Sequence, residues 1–218
     1  MTTSPKIIAV IPAYNEETTV GAVVASLKPL VAQVIVVDDH STDNTADAAR
    51  VAGAIVSGHE ENLGYDISLD DGFKLAAKMD ADIFMTFDAD GEHDVRDVPK
   101  ILEPILSGKA DIVAGQRPHS RHIGERLFAL YTFVRFYVRD PLCGFKAYRR
   151  TVYDAVGHFD SLGSIGTELM LRGIRKGFPI TLVPITLHAR QGSTTRFYEW
   201  RLRGTLKILK ALVRVLSI

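Results

Sequence analysis

Residues 83–94 read Ile83-Phe84-Met85-Thr86-Phe87-Asp88-Ala89-Asp90-Gly91-Glu92-His93-Asp94. A short run rich in Ile and Phe ends abruptly in alternating acids. The run has the composition of a short buried strand. Asp88 and Asp90 sit two residues apart, so a backbone that stays extended points both carboxylates to the same side. Carboxylates held that close repel and raise each other's pKa unless a cation lies between them. Hard cations such as Mg²⁺ and Mn²⁺ take carboxylate oxygens and share them with a diphosphate. Glu92, one further even step along, is a candidate third oxygen ligand. The plainer reading is a polar turn after a strand, for which Asp and Gly are ordinary residues.

The chain has 218 residues, enough for one α/β domain with a sizeable core. Its apolar and charged fractions, 46% and 24%, are those of a folded protein. Lys plus Arg equals Asp plus Glu, 26 of each. With bases interrupted by acids, that balance argues against nucleic acid as a partner. The charge is unevenly placed, with acids crowding 38–97 and bases crowding 117–150 and 190–214. That asymmetry suits a cation site facing an anionic ligand. A lone cysteine, Cys143, excludes an internal disulfide and fits a reducing compartment. The first residues, Met1 to Lys6, have no signal-peptide pattern, and no run reaches the roughly 18 apolar residues of a membrane span.

Outward from residue 83, strands and helices alternate. Strands are expected over Lys6–Ile11, closed by Pro12, and over Gln33–Val37, Ala54–Val56 and Asp111–Ala114, with Ile180–Pro184 as an edge strand. Helices are expected from Thr18 or Thr19 to Leu27, and over Thr45–Ala52, Ile67–Met79 and Val95–Leu106. Another opens near Gly166. Such alternation implies a mainly parallel sheet covered on both faces by helices. Ligands of such sheets bind beyond the carboxyl ends of the strands. Three strand ends carry Tyr14/Glu16, Asp38/Asp39 and Asp88/Asp90, so polar groups converge on one rim. Glycine-rich phosphate motifs are missing, so a diphosphate here needs a metal and basic side chains. Asp39 can accept hydrogen bonds from a base or ribose, or Asp38 and Asp39 can cap the following helix.

The second half carries most of the aromatic and basic residues. Pro118–Gly124 is a basic loop suited to a mobile lid, in which His119 and His122 read as surface residues rather than metal ligands. Arg126–Arg139 mixes aromatics with arginines and reads either as a helix packed on the sheet or as an interfacial helix. Phe197–Ile218 is a basic amphipathic helix, with Leu202, Leu206, Leu209, Val213 and Leu216 on one face and Arg203, Lys207, Lys210 and Arg214 on the other. It reads either as a docked surface helix or as a membrane-surface anchor, the basic face favouring the membrane. The chain thus divides into a domain over 1–196 and a C-terminal helix over 197–218.

The segments Val10-Ile-Pro-Ala-Tyr-Asn-Glu-Glu17, Val37-Asp-Asp-His-Ser-Thr-Asp-Asn-Thr45, Phe87-Asp-Ala-Asp-Gly-Glu-His93, Ala114-Gly-Gln-Arg117 and Asp140-Pro-Leu-Cys-Gly-Phe-Lys-Ala-Tyr-Arg149 stand in this order. In that order they resemble the family 2 glycosyltransferases, nearest to the dolichol-phosphate mannose synthase and polyprenyl-phosphate glycosyltransferase branch. The resemblance runs from about Lys6 to Arg196. It implies a GT-A fold and inverting, metal-dependent transfer of a hexose to a polyprenyl (dolichyl) phosphate. The donor would be a nucleotide diphosphate sugar, GDP-mannose or UDP-glucose.

Residue by residue, it implies that Pro12, Tyr14, Glu16 and Asp39 hold base and ribose. Asp88 would contact the donor, and Asp90 and Glu92 would bind Mg²⁺ or Mn²⁺. Arg117 would meet the sugar or phosphates, and Asp140 and Gly144-Phe145 would shape the acceptor side. Glu168 matches a position facing the acceptor. The segment His188–Arg196 resembles a family loop that makes Arg190 and Arg196 candidates for the donor diphosphate. Two departures stand out. Glu92 replaces the usual Gln, and Asn62–Gly72, with Asp66, Asp70 and Asp71, replaces a basic glycine-rich loop. The expected location is the cytoplasmic face of the membrane, held peripherally. Two other functions fit the residues: a glycosyltransferase acting on a soluble or polysaccharide acceptor, and a nucleotide-sugar binder without catalysis.

Overall fold

A computed structural model describes residues 4–118, 123–189 and 196–218, with side chains of the last segment described from Gly204 onward. The strands are β1 (Ile7–Ala13), β2 (Gln33–Asp38), β3 (Ile55–Gly58), β4 (Ile83–Thr86), β5 (Ile112–Gln116), β6 (Lys146–Arg149) and β7 (Ile180–Pro184). They form one sheet in the order β3-β2-β1-β4-β6-β5-β7. Strand β6 is antiparallel to both its neighbours, and the other pairings are parallel. The helices are α1 (Val20–Leu27), α2 (Thr45–Val51), α3 (Tyr65–Lys78), α4 (Val98–Leu106), α5 (Ile123–Phe136), α6 (Arg150–Val156), α7 (Glu168–Arg175) and α8 (Arg196–Val215).

Two apolar clusters, one on each face of the sheet, make the core. Alternate residues of β1 divide between them, with Ala9 and Ile11 in one and Ile8 and Val10 in the other. This is the signature of a strand buried on both sides. Helix α3 lies close on the second face, because Gly72 leaves room there for the side chains of Val10 and Val37. Phe73, one residue on, stacks against Phe84 at 5.0 Å between ring centroids.

Strand β1 does not stop before Pro12, as the apolar run suggests, but continues to Ala13 with Pro12 opposite Val37. The reason lies in the neighbouring strand. Pairing of β1 with β4 ends at Val10 opposite Thr86, so beyond Val10 that flank of β1 is an open edge, where proline is tolerated. The same early end of β4 opens a crevice where the strand order reverses. Strand β6, hidden in the Asp140–Arg149 segment, runs the other way and so delivers its leading turn, Cys143-Gly144-Phe145, to the same rim.

Helix α5 has two apolar faces. Phe128, Thr132 and Phe136 point inward, while Ile123, Leu130 and Val134, and Tyr137 just past its end, are exposed. Helix α8 packs on it, but not through the leucine stripe that its spacing suggests. Gly204, Ile208, Ala211 and Val215 are buried, and Leu206, Val213 and Leu216 are exposed. Small residues decide the inner face, since they let the helices approach: a Cβ on Gly124 would stand 3.3 Å from Ile208 Cγ2. Among the described residues no helix is long and apolar enough to cross a membrane.

Candidate functional site

The loops after β1 and β2 are tied to each other. Asn15, at φ 54°, donates its backbone N–H to Ser41 Oγ (2.9 Å), and its side-chain carbonyl accepts from Thr42 N (2.8 Å). Glu16 N donates to Thr45 Oγ1 at 2.8 Å, and Glu17 accepts from Asn44 N at 3.0 Å. Tyr14 and Glu16 are thereby presented on the wall of a cavity of about 380 Å³ that also meets Pro12, Asp39, Asp88 and Asp90.

Neither Asp38 nor Asp39 caps α2. Asp38 accepts from the Ser41 backbone N–H and hydroxyl, and Asp43 accepts from Thr45 N. Asp39 is buried, and its carboxylate accepts from Leu63 N and Gly64 N, each at 2.8 Å, and lies 2.9 Å from His59 Nδ1. Its oxygens therefore fix the loop before α3 and reach the cavity only at its wall.

The acids after β4 do not continue the strand. Gly91 has φ 72°, and Asp90 Oδ1 accepts from Glu92 N at 3.0 Å, so residues 88–92 form a turn and the even-step alternation expected for them does not hold. Asp88 instead turns toward His93, whose Nε2 lies 2.9 Å from its Oδ2. His93 is buried between Phe87 and Phe145. Burial pushes the Asp88 carboxyl up, but His93, Lys146 and Arg117 outweigh it and hold the pKa below the usual range. Burial pushes His93 down, and the Asp88 hydrogen bond and charge outweigh it, so its pKa is raised. Asp88 and Asp90 both line the cavity, whereas Glu92 is not among its described lining residues. Among the described residues no three His, Cys, Asp or Glu side chains are grouped to hold a metal by themselves. Two carboxylates at the edge of an open cavity instead suit a hard cation that keeps its remaining positions for water or phosphate oxygens.

Arg117 and Asp140 are brought together. The guanidinium donates through Nε at 2.8 Å and Nη2 at 2.7 Å to the two carboxylate oxygens, a bidentate pair, and the Arg117 backbone N–H adds a third bond at 3.0 Å. They line a second cavity, also of about 380 Å³, with Glu125 and Arg139. Leu142 borders both cavities.

Glu168 is fully buried and does not open to either cavity's described lining. It accepts from Ser161 N (2.6 Å), Leu162 N (3.0 Å) and Arg172 Nε (2.6 Å), and lies 3.0 Å from His158 Nε2. Burial raises its pKa, but these bonds prevail and hold it down to about 2. Its carboxylate shapes the 158–168 loop. The acids of α3 do the same from the other side: Asp66 accepts from Gly166 N and Asp70 from Phe159 N, each at 2.7 Å, while Asp70 and Asp71 pair with Lys74. The acidic departure in this segment is thus a set of loop anchors. Arg190, His119 and His122 lie outside the described residues, and Arg196 begins α8 with its side chain outside them.

Three residues escape sequence reasoning. His93 follows the acids of residues 88–92, where its position alone implies no role. Lys146 is buried and donates to Gly166 O at 3.1 Å, its pKa lowered by burial despite nearby acids. Lys207, assigned by spacing to an outer basic face, lines the first cavity. Only the tertiary position of α8 reveals this.

The sequence model of glycosyl transferase family 2 matches residues 8–163. Over 194 residues the chain is 31% identical to a dolichyl-phosphate hexose transferase of Haloferax volcanii, covering 83% of this chain and 82% of that protein. It is 30% identical over 175 residues to a UDP-N-acetylglucosamine–dolichyl-phosphate N-acetylglucosaminyltransferase of Methanococcus voltae, covering 66% and 70%. Among solved structures, glucosyl-3-phosphoglycerate synthase from Mycobacterium tuberculosis in complex with Mn²⁺ and UDP-glucose superposes with TM-score 0.77. That pair is 24% identical, over 98% of this chain and 79% of the other.

Proposed function

The chain belongs to glycosyl transferase family 2 and has its GT-A fold, and on that premise we propose that it moves a hexose from a nucleotide diphosphate sugar to a polyprenyl phosphate. The observation that carries this reading is the pair of adjoining cavities. One is walled by Tyr14, Glu16, Asp88 and Asp90 at the strand-order reversal, and the other by Arg117, Arg139 and Asp140, with Leu142 between. A donor in the first cavity and an anionic acceptor in the second meet at Leu142. The relatives named for dolichyl phosphate acceptors support a lipid phosphate as that acceptor.

The expected course is one displacement that inverts the anomeric carbon. A phosphate acceptor is already ionised and needs no general base, so Glu168 is free to serve the loop. Asp90 with Asp88 would hold a divalent cation, Mg²⁺ or Mn²⁺, which supplies charge neutralisation for the departing diphosphate. His93 keeps Asp88 ionised and oriented. Arg139 and the rim of the second cavity attract the acceptor phosphate. The exposed stripes of α5 and α8 would rest on the membrane surface that carries the acceptor, the chain being held there peripherally.

The test is turnover by the purified chain with UDP-glucose or GDP-mannose and polyprenyl phosphate in vesicles, with Mn²⁺ or with chelator. Sugar-linked lipid should form in step with nucleoside diphosphate, and Asp90→Ala or chelator should abolish both without unfolding the protein. Transfer to a soluble acceptor only, or nucleotide-sugar binding with no release under any acceptor, would overturn it.

A further inference from the structure

The cavity assigned to the donor is lined by Glu16, Asp39, Asp88 and Asp90, and a diphosphate brings more negative charge. Among its described lining residues one side chain is cationic, Lys207. Two other described bases nearby are engaged elsewhere: Arg117 in its bidentate pair with Asp140, and Lys146 below the surface on Gly166 O.

The seat of Lys207 is fixed by its helix. Gly204, Ile208, Ala211 and Val215 bury α8 against α5 and the second core cluster. Two turns beyond Lys207, and so on the same helix face, Arg214 donates to Gly163 O at 3.2 Å. That face of α8 therefore looks toward the 158–168 loop and the cavity, not toward the exposed stripe of Leu206, Val213 and Leu216. Lys207 also lies close enough to Asp66, under the same loop, to act on its charge.

We infer that Lys207 is a phosphate-binding residue of the donor cavity, its ammonium meeting the diphosphate of a bound nucleoside diphosphate. An ammonium on a flexible stem suits a phosphate approached from solvent. This rests on the donor reading above and adds a residue from the C-terminal helix. It also gives α8 a second task, since the helix that offers a stripe to the membrane then supplies a side chain to the donor cavity.

The experiment is calorimetric binding of UDP and GDP, with uridine and guanosine as probes lacking phosphate, in the presence of Mn²⁺. It compares the natural chain with Lys207→Ala, Lys207→Arg and, as a control on the same helix outside the cavity, Lys210→Ala. Loss of one charge-assisted contact predicts diphosphate binding about tenfold weaker in Lys207→Ala, with nucleoside binding unchanged. Lys207→Arg should stay within about threefold, since the charge is kept, and Lys210→Ala should match the natural chain. In turnover donor KM should rise and kcat should fall as well, because the diphosphate gains negative charge as it departs. Equal diphosphate binding by Lys207→Ala and the natural chain overturns the inference alone. So does a parallel loss of nucleoside binding, or a loss confined to the KM of the lipid acceptor. A natural chain that binds neither diphosphate overturns the donor reading with it.

Discussion

Gly144 lies so close under Asp88 that a Cβ on it would stand 2.6 Å from the carboxylate carbon. The contact is held from the other side, because Thr86 Oγ1 donates to Gly144 O at 2.6 Å and ties the turn before β6 to the end of β4. A methyl group there cannot be met by a flexible side-chain tip moving away, since Asp88 is also bound to His93. Gly144→Ala should therefore displace Asp88 by an ångström or so. Misplacement on that scale costs on the order of 100-fold in rate, while overpacking costs about 1–3 kcal/mol of stability. Steady-state kinetics beside a thermal melt would check this. Full activity in Gly144→Ala would show that Asp88 has no fixed position in the reaction.

The His93–Asp88 pair gives a second prediction, with a sign. His93 has a raised folded pKa, so its contribution to stability is complete below the ordinary histidine value and is lost as pH rises through the raised one. Asp88 has a lowered pKa, so its contribution is present above the ordinary carboxylate value and is lost as pH falls through the lowered one. The pair thus supports the fold across the interval between, and carries a cost: His93 Nδ1 is buried with no hydrogen-bond partner among the described residues. His93→Phe fits between Phe87 and Phe145 but leaves Asp88 without its donor. A hydrogen bond to a charged group is worth about 1.5–3 kcal/mol, so the acid limb of the kcat/KM profile should move up by about 1–2 pH units. His93→Gln, which can still donate, should move it less. An unmoved limb in His93→Phe would assign that limb to another group.

How far the residues announce this structure depends on whether the deciding contacts are local. Strands β1, β2 and β4 are apolar runs buried on both faces, and their polar ends are legible as a rim. Strand β6 is silent, because Lys146-Ala147-Tyr148-Arg149 carries a base at each end. Its first base is buried only because Gly166 O, twenty residues on, accepts from it. The face of α8 is likewise settled at a distance. A leucine stripe and a Gly204–Ala211 stripe both fit helical spacing, and Gly124 on α5 selects the second. Asp39 and Glu168 show the converse. Both read as site acids, and the loops at 59–64 and 158–168 hold most of their oxygens for structure.

The acids beneath the 158–168 loop predict a stability effect. Asp66 is pushed up to about 6, mainly by burial and then by the Asp160 carboxylate, with the Gly166 N–H and Lys207 opposing. A carboxyl whose folded pKa is raised binds its proton more tightly in the folded state. Stability is therefore greatest below about pH 4 and declines as pH rises toward 6. Asp66→Asn keeps an acceptor for Gly166 N and removes the charge. It should stabilise the protein at pH 7–8 by about 1–3 kcal/mol and change little at pH 4. Denaturant unfolding at the two pH values would measure both. Equal effects at pH 4 and pH 8 would mean that Asp66 is ionised without penalty.

The outer stripes of α5 and α8 carry the last prediction. Ile123, Leu130 and Val134 on α5, with Tyr137 just past its end, and Leu206 and Val213 on α8, with Leu216 just past its end, are exposed, and the two helices pack together. Arg126, Arg135, Arg139 and Lys210 border them in the sequence. Insertion into a lipid surface recovers roughly 1.5–3 kcal/mol for each large apolar side chain fully buried, and each nearby base adds about 1 kcal/mol on an anionic surface. Replacing Leu130 and Val213 together by Glu removes two anchors and adds two repelling charges. Partition onto anionic vesicles should fall by about 100-fold or more. The fold should be spared, since exposed positions cost within about 0.5 kcal/mol on substitution. Vesicle flotation and a thermal melt measure the two halves separately. In turnover, the double variant should lose transfer to vesicle-borne polyprenyl phosphate yet keep its affinity for UDP or GDP, because Lys207 is about 100° round α8 from the Leu206 stripe and lines the donor cavity, which neither substituted residue does. Unchanged flotation would show that the stripes meet something other than lipid, and a shared loss of nucleotide affinity would show that the two sides of α8 are not separable.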